Sequence, residues 1–531
     1  MNPLAPLFSP RSIAVVGASN DTRRIRGRLL KLLVEGGFDG PVYPVNPSHA
    51  HIQGLPAFAL VLELPQPVDL ALIAVSADQV MGVLAQCAER RVRAAAIYSA
   101  GANGLPPGQR LQDQVAEFAR RTGMRILGPN CEGFFDAKGG LTATFSPTIE
   151  RIPPHPRGAL PLRGRVSIVS QSGAMAFALY SRARAEHIPV RHLVSTGNEA
   201  DVELLEVVDH LVAEGDSRAI LLFVEGFHHP GRFAAVAARA ADAGVVLLVA
   251  KVGRSGAGQR AAISHTAHLT GADTAYDAVL RERGAIRVDT PEDMLAVAPV
   301  VSAGLAPAGR RVAIVTTSGG AGGWAADICE QAGLEVPPFD DAFRQSLAAA
   351  VPDHGATNNP VDVTASVVED GGATLLEILR LLGRSPGTDI GLVIVSLVVA
   401  ERLTRIEAEL AAIHAGGGRP LVFHSPGLAD PLALEVLARV GGLHLGLAAF
   451  ARAVAALEDH QRFLERRRQA PPARSRPVRP AAALPAADGP LDAQAARVLL
   501  AAWEVALPGE ALAAALPGPQ RPRRRWAGRW H

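Results

Sequence analysis

The chain has 531 residues, of which 48% are hydrophobic and 20% charged, the balance of a folded protein with large buried cores. Its 53 basic and 51 acidic residues leave a formal net charge of +2, so it has no general attraction to nucleic acid or to anionic membranes. The three cysteines are too widely spaced for a disulfide framework or a zinc site, and the uncharged apolar stretches are too short to span a bilayer. These features predict a cytoplasmic protein of about three or four domains, with no metal site, nucleic-acid partner or membrane partner.

Short apolar runs alternate with amphipathic helical segments from the N-terminus onward. The first run covers residues 12–18, and a helix pattern follows from Arg26 to Glu35. Further apolar runs of this region lie at residues 42–47, 68–75, 94–98 and 125–128. This alternation predicts βα units with a parallel sheet, and residues 1–137 are predicted to form a Rossmann-like domain.

The same alternation restarts twice after proline- or glycine-rich joints. Residues 138–164 are predicted to be a linker, and residues 165–300 and 308–465 each repeat the βα pattern. The predicted fold class is therefore α/β, with the Rossmann-like domain followed by two flavodoxin-like, doubly wound parallel-sheet domains. Residues 466–531 are rich in Arg, Pro and Ala, which indicates a linker, and their arginine-rich end is either an anion-binding arm or a disordered terminus.

A glycine turn in the first domain has the context of a phosphate-binding loop. Gly17-Ala18-Ser19 follows a predicted strand and precedes a helix, where backbone amides are free to meet phosphate. The turn is not a G-x-G-x-x-G fingerprint, and Asn46 and Pro47 stand where a nicotinamide site has an acidic residue, which disfavours a dehydrogenase. Four arginines beside the turn either pair with phosphates or form a solvated start of a helix: Arg23, Arg24, Arg26 and Arg28.

A second group of candidates lies at strand ends of the second domain. His265 follows an apolar run and a glycine-rich segment, and imidazole is suited to carry a labile group at neutral pH, although a lone histidine is more often structural. Ser170-Gln171-Ser172-Gly173 opens a helix and offers N–H groups to an anion, or is an ordinary helix cap. Glu225 ends another strand and is suited to orient an imidazole. Because strand ends of a parallel sheet meet at one edge, these residues are expected to converge as a phosphohistidine site.

The ordered motifs of the chain resemble those of the NDP-forming acyl-CoA synthetases, relatives of succinyl-CoA synthetase and of the ADP-forming acetyl-CoA synthetases. The resemblance covers about residues 7–465 and rests on eight segments: IAVVGAS (13–19), VYPVNP (42–47), GPNCEG (128–133), VSQSGA (169–174), GNEADV (197–202), VEG (224–226), SHT (264–266) and NPVD (359–362). It implies a reaction in which a small carboxylic acid, CoA and ATP give acyl-CoA, ADP and phosphate through an acyl phosphate and a phosphohistidine.

The resemblance also implies roles for individual residues. His265 is expected to be the phosphorylated residue, with Glu225 as its catalytic partner. Ser170, Gln171, Ser172 and Gly173 are expected to form the phosphate cradle. The expected CoA-binding residues are Gly17, Ala18, Ser19, Val45, Asn46, Pro47, Ser99, Ala100, Gly101 and Asn130.

The chain departs from the family pattern in places that matter for activity. Ala267 and His268 stand where the family has Gly-Ala, and residues 491–513 resemble only the first helix of an ATP-grasp domain. ATP or ADP with Mg²⁺ is therefore expected on a separate ATP-grasp β-type subunit of a hetero- or homo-oligomer, unless the chain is truncated. The alternative is a non-catalytic CoA- or acyl-CoA-binding protein that has lost the ligase activity.

Overall fold

The computed structural model describes residues 3–100, 110–151, 166–186, 188–260, 273–305, 307–364, 370–469 and 497. The chain divides into two compact units, Met1–Glu465 and Arg466–His531. In the second unit the described residues are 466–469, at the end of a helix, and 497. The predictions for Gly101, His265 and the arginine-rich end thus concern residues outside the described ranges.

The first region of the chain forms a parallel sheet and a small hairpin. Its strands are β1 (Ile13–Val16), β2 (Val42–Val45), β3 (His51–Ile52), β4 (Leu55–Pro56), β5 (Leu70–Ile73), β6 (Ala94–Ile97) and β7 (Arg125–Leu127). Five of them pair in parallel in the order β2-β1-β5-β6-β7, while β3 and β4 form an antiparallel pair. The helices are α1 (Ala5–Phe8), α2 (Ile25–Glu35), α3 (Ala77–Glu89) and α4 (Leu111–Thr122). Strands β1, β5 and β6 are buried along their whole length, as expected for a sheet with helices on both faces.

The second sheet has seven strands. They are β8 (Gly133–Asp136), β9 (Leu141–Thr144), β10 (Val166–Ser170), β11 (Val190–Ser195), β12 (Ala219–Val224), β13 (Val246–Lys251) and β14 (Ile286–Val288). Their order is β14-β13-β12-β10-β11-β8-β9, with β10 to β14 parallel and β8 antiparallel to both β11 and β9. The helices of this region are α5 (Pro147–Arg151), α6 (Gly173–Ala185), α7 (Leu204–Glu214), α8 (Phe233–Asp242), α9 (Asp273–Glu282) and α10 (Pro291–Ser302).

Strands β8 and β9 belong to a segment that the sequence assigned to the end of the first domain and to the following linker. In the structure Phe134 and Phe135 pair with Val194 and Leu193, so this segment extends the second sheet. A short apolar run specifies a strand but not its neighbour, because pairing partners are chosen by tertiary packing. The domain limits themselves remain a proposal.

The third sheet is again parallel. Its strands are β15 (Val312–Thr316), β16 (Val361–Asp362), β17 (Ile390–Ile394), β18 (Leu421–His424) and β19 (Leu443–His444), in the order β16-β15-β17-β18-β19. The helices are α11 (Gly319–Gln331), α12 (Asp341–Ala348), α13 (Ala373–Leu382), α14 (Ala400–Arg405), α15 (Glu407–Ala415), α16 (Pro431–Arg439) and α17 (Leu447–Gln469). Within the described residues, no helix combines the length and the apolar character needed to cross a membrane.

In each of the three larger sheets, the parallel strand that comes first in the sequence lies inside the sheet. The chain connects from it to one neighbour on one side and then crosses to the other side for the next strand. β1 lies between β2 and β5, β10 between β11 and β12, and β15 between β16 and β17. Such a reversal of strand order opens a crevice at the carboxyl ends of the strands, where α/β proteins bind their ligands. The α/β fold class is confirmed, and the loops that follow β1 and β10 lie at these crevices.

Candidate active site

The turn after β1 requires glycine. Gly17 has φ +87°, and its N–H donates to the carbonyl of Val45 at 2.9 Å. A Cβ atom at this position would lie 2.5 Å from the carbonyl oxygen of Ala74. The backbone of the turn therefore passes so close to the end of β5 that no side chain fits between them.

The structure brings the second predicted CoA segment against this turn. The Asn46 side-chain amide donates to the carbonyl of Ala18 at 2.8 Å, and its side-chain oxygen accepts from the N–H of Ser48 at 2.9 Å. Val45 and Ala18 are buried, whereas Pro47 is exposed. The residue predicted to replace the acidic group of a nicotinamide site thus holds the glycine turn in place.

The third predicted CoA segment adjoins the same edge. The Ser99 hydroxyl donates to the carbonyl of Val75, whose side chain lies against Gly17. The N–H of Asn130 donates to the carbonyl of Ser99 at 2.9 Å. Ala100 follows Ser99 along the chain and is exposed. The described members of all three segments therefore lie along one edge of the first sheet.

Two arginines beside the turn extend into solvent. The side chains of Arg23 and Arg24 are 89% and 82% exposed, and both pair with Asp21, at 3.0 Å and 3.4 Å. The hydrogen bond from Arg23 lowers the pKa of the Asp21 carboxyl. Because the two exposed guanidinium groups share one carboxylate, each keeps N–H groups that can donate to a phosphate-bearing ligand.

Gly17→Ala is expected to weaken CoA binding by at least about tenfold, because the added methyl must displace the backbone of β5 or of the turn. Gly37→Ala is a matched control: Gly37 also has φ +87°, but a Cβ atom there would meet nothing within 4 Å. Titration calorimetry with CoA checks both variants. Equal losses of affinity in the two would show that the close approach at residue 17 does not shape the CoA site.

The turn after β10 forms the start of α6. The Ser172 hydroxyl caps the helix by accepting from the N–H of Met175 at 3.4 Å. The buried Ser170 hydroxyl accepts from the N–H of Ser172 at 3.1 Å and donates to its carbonyl at 2.6 Å. These contacts fix the turn so that the N-terminus of the 13-residue helix α6, with its positive dipole end, faces the crevice.

Glu132 lies against the start of this helix. A Cβ atom on Gly173 would be 2.7 Å from Cβ of Glu132, so the helix start has room for that side chain only because residue 173 is glycine. Burial raises the pKa of the Glu132 carboxyl. Its N–H donates to the hydroxyl of Ser195 at 3.1 Å, which ties the segment after Asn130 to the end of β11.

Gln171 is held differently from the serines on either side of it. Its backbone N–H donates to the carbonyl of Phe223 at 3.2 Å. Its side-chain oxygen accepts from the N–H groups of Glu225 and Gly226, at 2.6 Å and 3.1 Å, and its amide donates to the carbonyl of Gly226 at 2.7 Å. The structure therefore joins Gln171 directly to the segment that carries Glu225, as the shared strand edge predicts.

Glu225 is buried just beyond the end of β12. Its neighbour Val224 pairs with Lys251 at the end of β13. The ammonium group of Lys251 lies 4.7 Å from the ring centre of Tyr276, and burial lowers its pKa, while Asp273 and Glu225 act in the opposite direction. The structure thus brings Glu225 and Ser170–Gly173 together. His265, which follows Lys251 along the chain, lies outside the described residues, so its place stays a prediction.

Cys131, next to the predicted CoA residue Asn130, is a packed thiol. Its sulfur donates to the carbonyl of Ile97 at 3.3 Å, and burial raises its pKa to about 12. All three cysteines of the chain are buried and free. A thiol that stays protonated at neutral pH is a poor nucleophile, so Cys131 has a packing role.

One residue of the site gave only a weak signal in the sequence. Glu199 follows a Gly-Asn turn after β11, has φ +56° and is buried. Burial raises the pKa of its carboxyl to about 8, although hydrogen bonds from Thr196, Gln171 and Leu204 lower it. The position of Glu199 at a strand end was visible in the sequence, but its burial depends on how β10, β11 and α7 pack.

The loop that contains Glu199 also contacts the predicted CoA-binding edge. The N–H of Asn198 donates to the carbonyl of Pro129 at 2.9 Å, and the side-chain amide of Asn130 donates to the side chain of Asn198 at 3.2 Å. Arg125 forms ion pairs with Asp201 and Glu206, at 3.0 Å and 2.8 Å. The predicted CoA residue Asn130 is thereby fixed to the second sheet.

Comparisons with known proteins agree with this arrangement. Residues 11–136 match the CoA binding domain family, and residues 163–301 match the succinyl-CoA ligase like flavodoxin domain family. The chain is 33% identical over 440 residues to the alpha subunit of ADP-forming acetate–CoA ligase II from Pyrococcus furiosus, covering 82% of this chain and 92% of that protein. It is 35% identical over 367 residues to the alpha subunit of ligase I from the same organism, covering 68% and 76%.

A solved structure shows the same architecture. The chain matches dinucleotide forming acetyl-coenzyme A synthetase 1 from Ca. Korarchaeum cryptofilum, solved in complex with phosphate and ADP, with a TM-score of 0.76 and 28% identity. The match covers 89% of this chain and 100% of that one. Together with the two family matches and the near-complete coverage of the Pyrococcus furiosus alpha subunit, it shows that the chain belongs to the NDP-forming acyl-CoA synthetases, the family related to succinyl-CoA synthetase.

Proposed function

We propose that this chain is the CoA-binding, phosphohistidine-carrying component of an ADP-forming acyl-CoA synthetase, equivalent to the alpha subunits of its relatives. The observation that carries the proposal is the 33% identity to one such alpha subunit, of which the match covers 92%. The whole enzyme converts a small carboxylic acid, CoA and ATP to acyl-CoA, ADP and phosphate. No observation favours the alternative of a binding protein without ligase activity.

In the half-reaction assigned to this chain, CoA binds along Gly17–Ser19, Val45–Pro47, Ser99–Gly101 and Asn130. In the direction of acyl-CoA breakdown, an oxygen of phosphate attacks the thioester carbonyl, and the C–S bond breaks to release CoA and leave an acyl phosphate. A ring nitrogen of His265 then attacks phosphorus, the P–O bond to the acyl group breaks, and the carboxylate leaves.

The second sheet supplies the groups that support these steps. The turn Ser170–Gly173 shapes the phosphate cradle, and the N–H groups at the N-terminus of α6, together with the helix dipole, bind the phosphate oxygens. Glu225 accepts a hydrogen bond from the N–H of the other ring nitrogen of His265, which raises the nucleophilicity of the ring and stabilises the positive charge that develops on it. The Gln171 side chain is engaged with the backbone of Glu225 and Gly226, so it is not available to bind the phosphate.

Nucleotide chemistry is assigned to a partner. Two relatives are named alpha subunits, which supports a separate β-type subunit; we assign to it an ATP-grasp fold that binds ATP or ADP with Mg²⁺ and exchanges phosphate with His265. Among the described residues no group of three or more His, Cys, Asp or Glu is arranged to hold a metal ion. We place the assembly in the cytoplasm, where CoA esters and ATP are both available.

The half-reaction provides a test that needs no partner. Purified chain incubated with acetyl-CoA and ³²P-labelled phosphate is expected to gain a protein-bound label that is stable to base and labile to acid, as a phosphohistidine is, with release of CoA. A panel of acyl-CoA thioesters then identifies the acyl group, since the label requires thioester cleavage. CoA binding without any label from the whole panel would favour the non-catalytic binding protein.

A further inference from the structure

A buried carboxylate lies behind Glu225 and has no assigned role in the reaction. One carboxyl oxygen of Glu199 accepts from the hydroxyl of Thr196 at 2.7 Å and from the N–H of Leu204 at 3.0 Å. The other oxygen accepts from the side-chain amide of Gln171 at 3.0 Å. All three of these neighbours donate to the carboxyl group, which is buried.

The amide of Gln171 connects this carboxyl group to Glu225. Its nitrogen faces two acceptors, the second oxygen of Glu199 and the carbonyl of Gly226. Its oxygen faces two donors, the N–H groups of Glu225 and Gly226. A reversed amide would set donor against donor and acceptor against acceptor at all four contacts, so only one orientation is stable.

We propose that Glu199 and Gln171 form a positioning pair, in which the Glu199 carboxyl fixes the orientation of the Gln171 amide and that amide fixes the backbone from which the Glu225 side chain extends. The inference rests on the proposed function, because it assigns the pair to the histidine phosphorylation step. Neither residue touches the reacting atoms in this account. The pair acts through the geometry of Glu225 alone.

The backbone of Glu199 is itself held from the opposite side. Asn198 donates to the carbonyl of Pro129 at 2.9 Å, and Ala200 donates to the carbonyl of Gly128 at 3.0 Å. These two bonds flank Glu199 and attach its loop to the segment before Asn130. The carboxyl group is therefore a rigid support rather than a mobile side chain that adjusts to Gln171.

The contact with Gln171 does not depend on whether Glu199 carries a proton. Glu203 and His228 lie nearby, the ring of His228 at 3.9 Å from the Glu199 carboxyl. A proton on the first oxygen has an acceptor in the hydroxyl of Thr196, which in turn reaches the carbonyl of Ser170 at 3.4 Å. The second oxygen remains an acceptor for Gln171 in both states.

A double-mutant cycle on the labelling reaction tests the pair. Glu199→Gln places an amide N–H₂ either against the amide of Gln171 or against the N–H of Leu204, and Gln171→Met removes every polar contact of that side chain at nearly constant length. Glu199→Gln is expected to slow labelling by about tenfold, the usual effect of one unsatisfied buried contact, and Gln171→Met, which removes four contacts, is expected to slow it by at least as much. When Gln171→Met is already present, adding Glu199→Gln is expected to slow labelling by less than a further factor of about two, because the contact between the two side chains is already lost.

The controls separate positioning from general damage. The KM for phosphate and the Kd for CoA are expected to stay within about twofold of the wild type, because neither ligand touches the pair. Glu214→Gln is the matched control. This carboxylate accepts from Arg191 at 2.9 Å and from His192 at 3.1 Å. Both partners lie near the start of β11, whereas Glu199 follows the end of that strand. It is expected to leave the labelling rate unchanged.

Several outcomes would contradict the inference about Glu199 and Gln171 without contradicting the proposed function. Independent, multiplying effects of the two changes would show that Glu199 does not act through Gln171, and a wild-type rate in either single variant would remove that residue from the mechanism. If Gln171→Met does not fold, Glu199→Asp replaces it, since a shorter carboxylate tolerates the positive φ but withdraws from Gln171. A wild-type labelling rate in Glu199→Asp would contradict the inference. An unlabelled wild-type chain would instead contradict the proposed function itself.

Discussion

His265→Ala is expected to reduce labelling from acyl-CoA and phosphate to background, a fall of more than about a thousandfold. In the proposed reaction a ring nitrogen of His265 supplies the electron pair for the new N–P bond, so no neighbouring group replaces the imidazole once it is removed. CoA binding is expected to persist, because the predicted CoA-binding residues lie at or after the ends of β1, β2, β6 and β7, and none of them belongs to the segment of the chain around His265. Acid-labile label and CoA affinity are measured on the same preparation.

A nearby histidine provides the control for this result. His268 lies three residues after His265 in the same segment, at a position where the family has a small residue. His268→Ala is expected to label at close to the wild-type rate. Label that persists in His265→Ala but disappears in His268→Ala would move the phosphorylated site by three residues, and label in both would place it elsewhere in the chain.

Glu225→Gln is expected to slow labelling by about a hundredfold without loss of CoA binding. The variant keeps the size of the side chain but removes the negative charge that stabilises the imidazole ring as it attacks phosphorus. The backbone of residue 225 keeps its bond to Gln171, since that bond uses the N–H group and not the side chain. Single-turnover labelling therefore measures the contribution of the carboxylate alone.

The same reaction at several phosphate concentrations distinguishes the two ways in which Glu225 could act. A slower maximal rate with an unchanged KM for phosphate is the result expected for a residue that assists the histidine. A raised KM with an unchanged maximal rate would place Glu225 in the phosphate cradle, and unchanged kinetics would exclude it from the mechanism. The cradle is expected to tolerate the change because it consists of N–H groups at the start of α6.

The two sites of the chain are connected through one loop. Residues 196–202 contact the segment around Asn130 on one side and Gln171 on the other, so the CoA edge and the Glu225 segment share a fixed support. A shared support matters for the proposed reaction, in which a thioester on CoA must meet phosphate at the start of α6. Small displacements of reacting groups are costly, and a rigid connection between the two sheets limits them.

Much of the architecture was readable in the sequence because it depends on local patterns. Runs such as Ile13–Val16 and Ala219–Val224 are apolar at every position, which is typical of parallel strands covered on both faces, and the structure has them in that role. Gly17 was identified from its place between a strand and a helix, and its positive φ follows from the sharp turn needed there. The convergence of Glu225 with Ser170–Gly173 follows from the rule that strand ends of a parallel sheet share an edge.

The tertiary structure decided the features that depend on which elements become neighbours. Phe134 and Phe135 lie in a strand that joins the second sheet. The sequence did not predict this, because a short apolar run does not specify the strand with which it pairs. The sequence marked Gln171 as a phosphate ligand and gave no separate role to Glu199, which lies within the segment GNEADV (197–202). Their hydrogen bonds to each other and to the Glu225 segment arise from residues 28 and 54 positions apart. Sequence periodicity determines which faces are buried, but the partner of a buried polar group is set only when distant segments pack together.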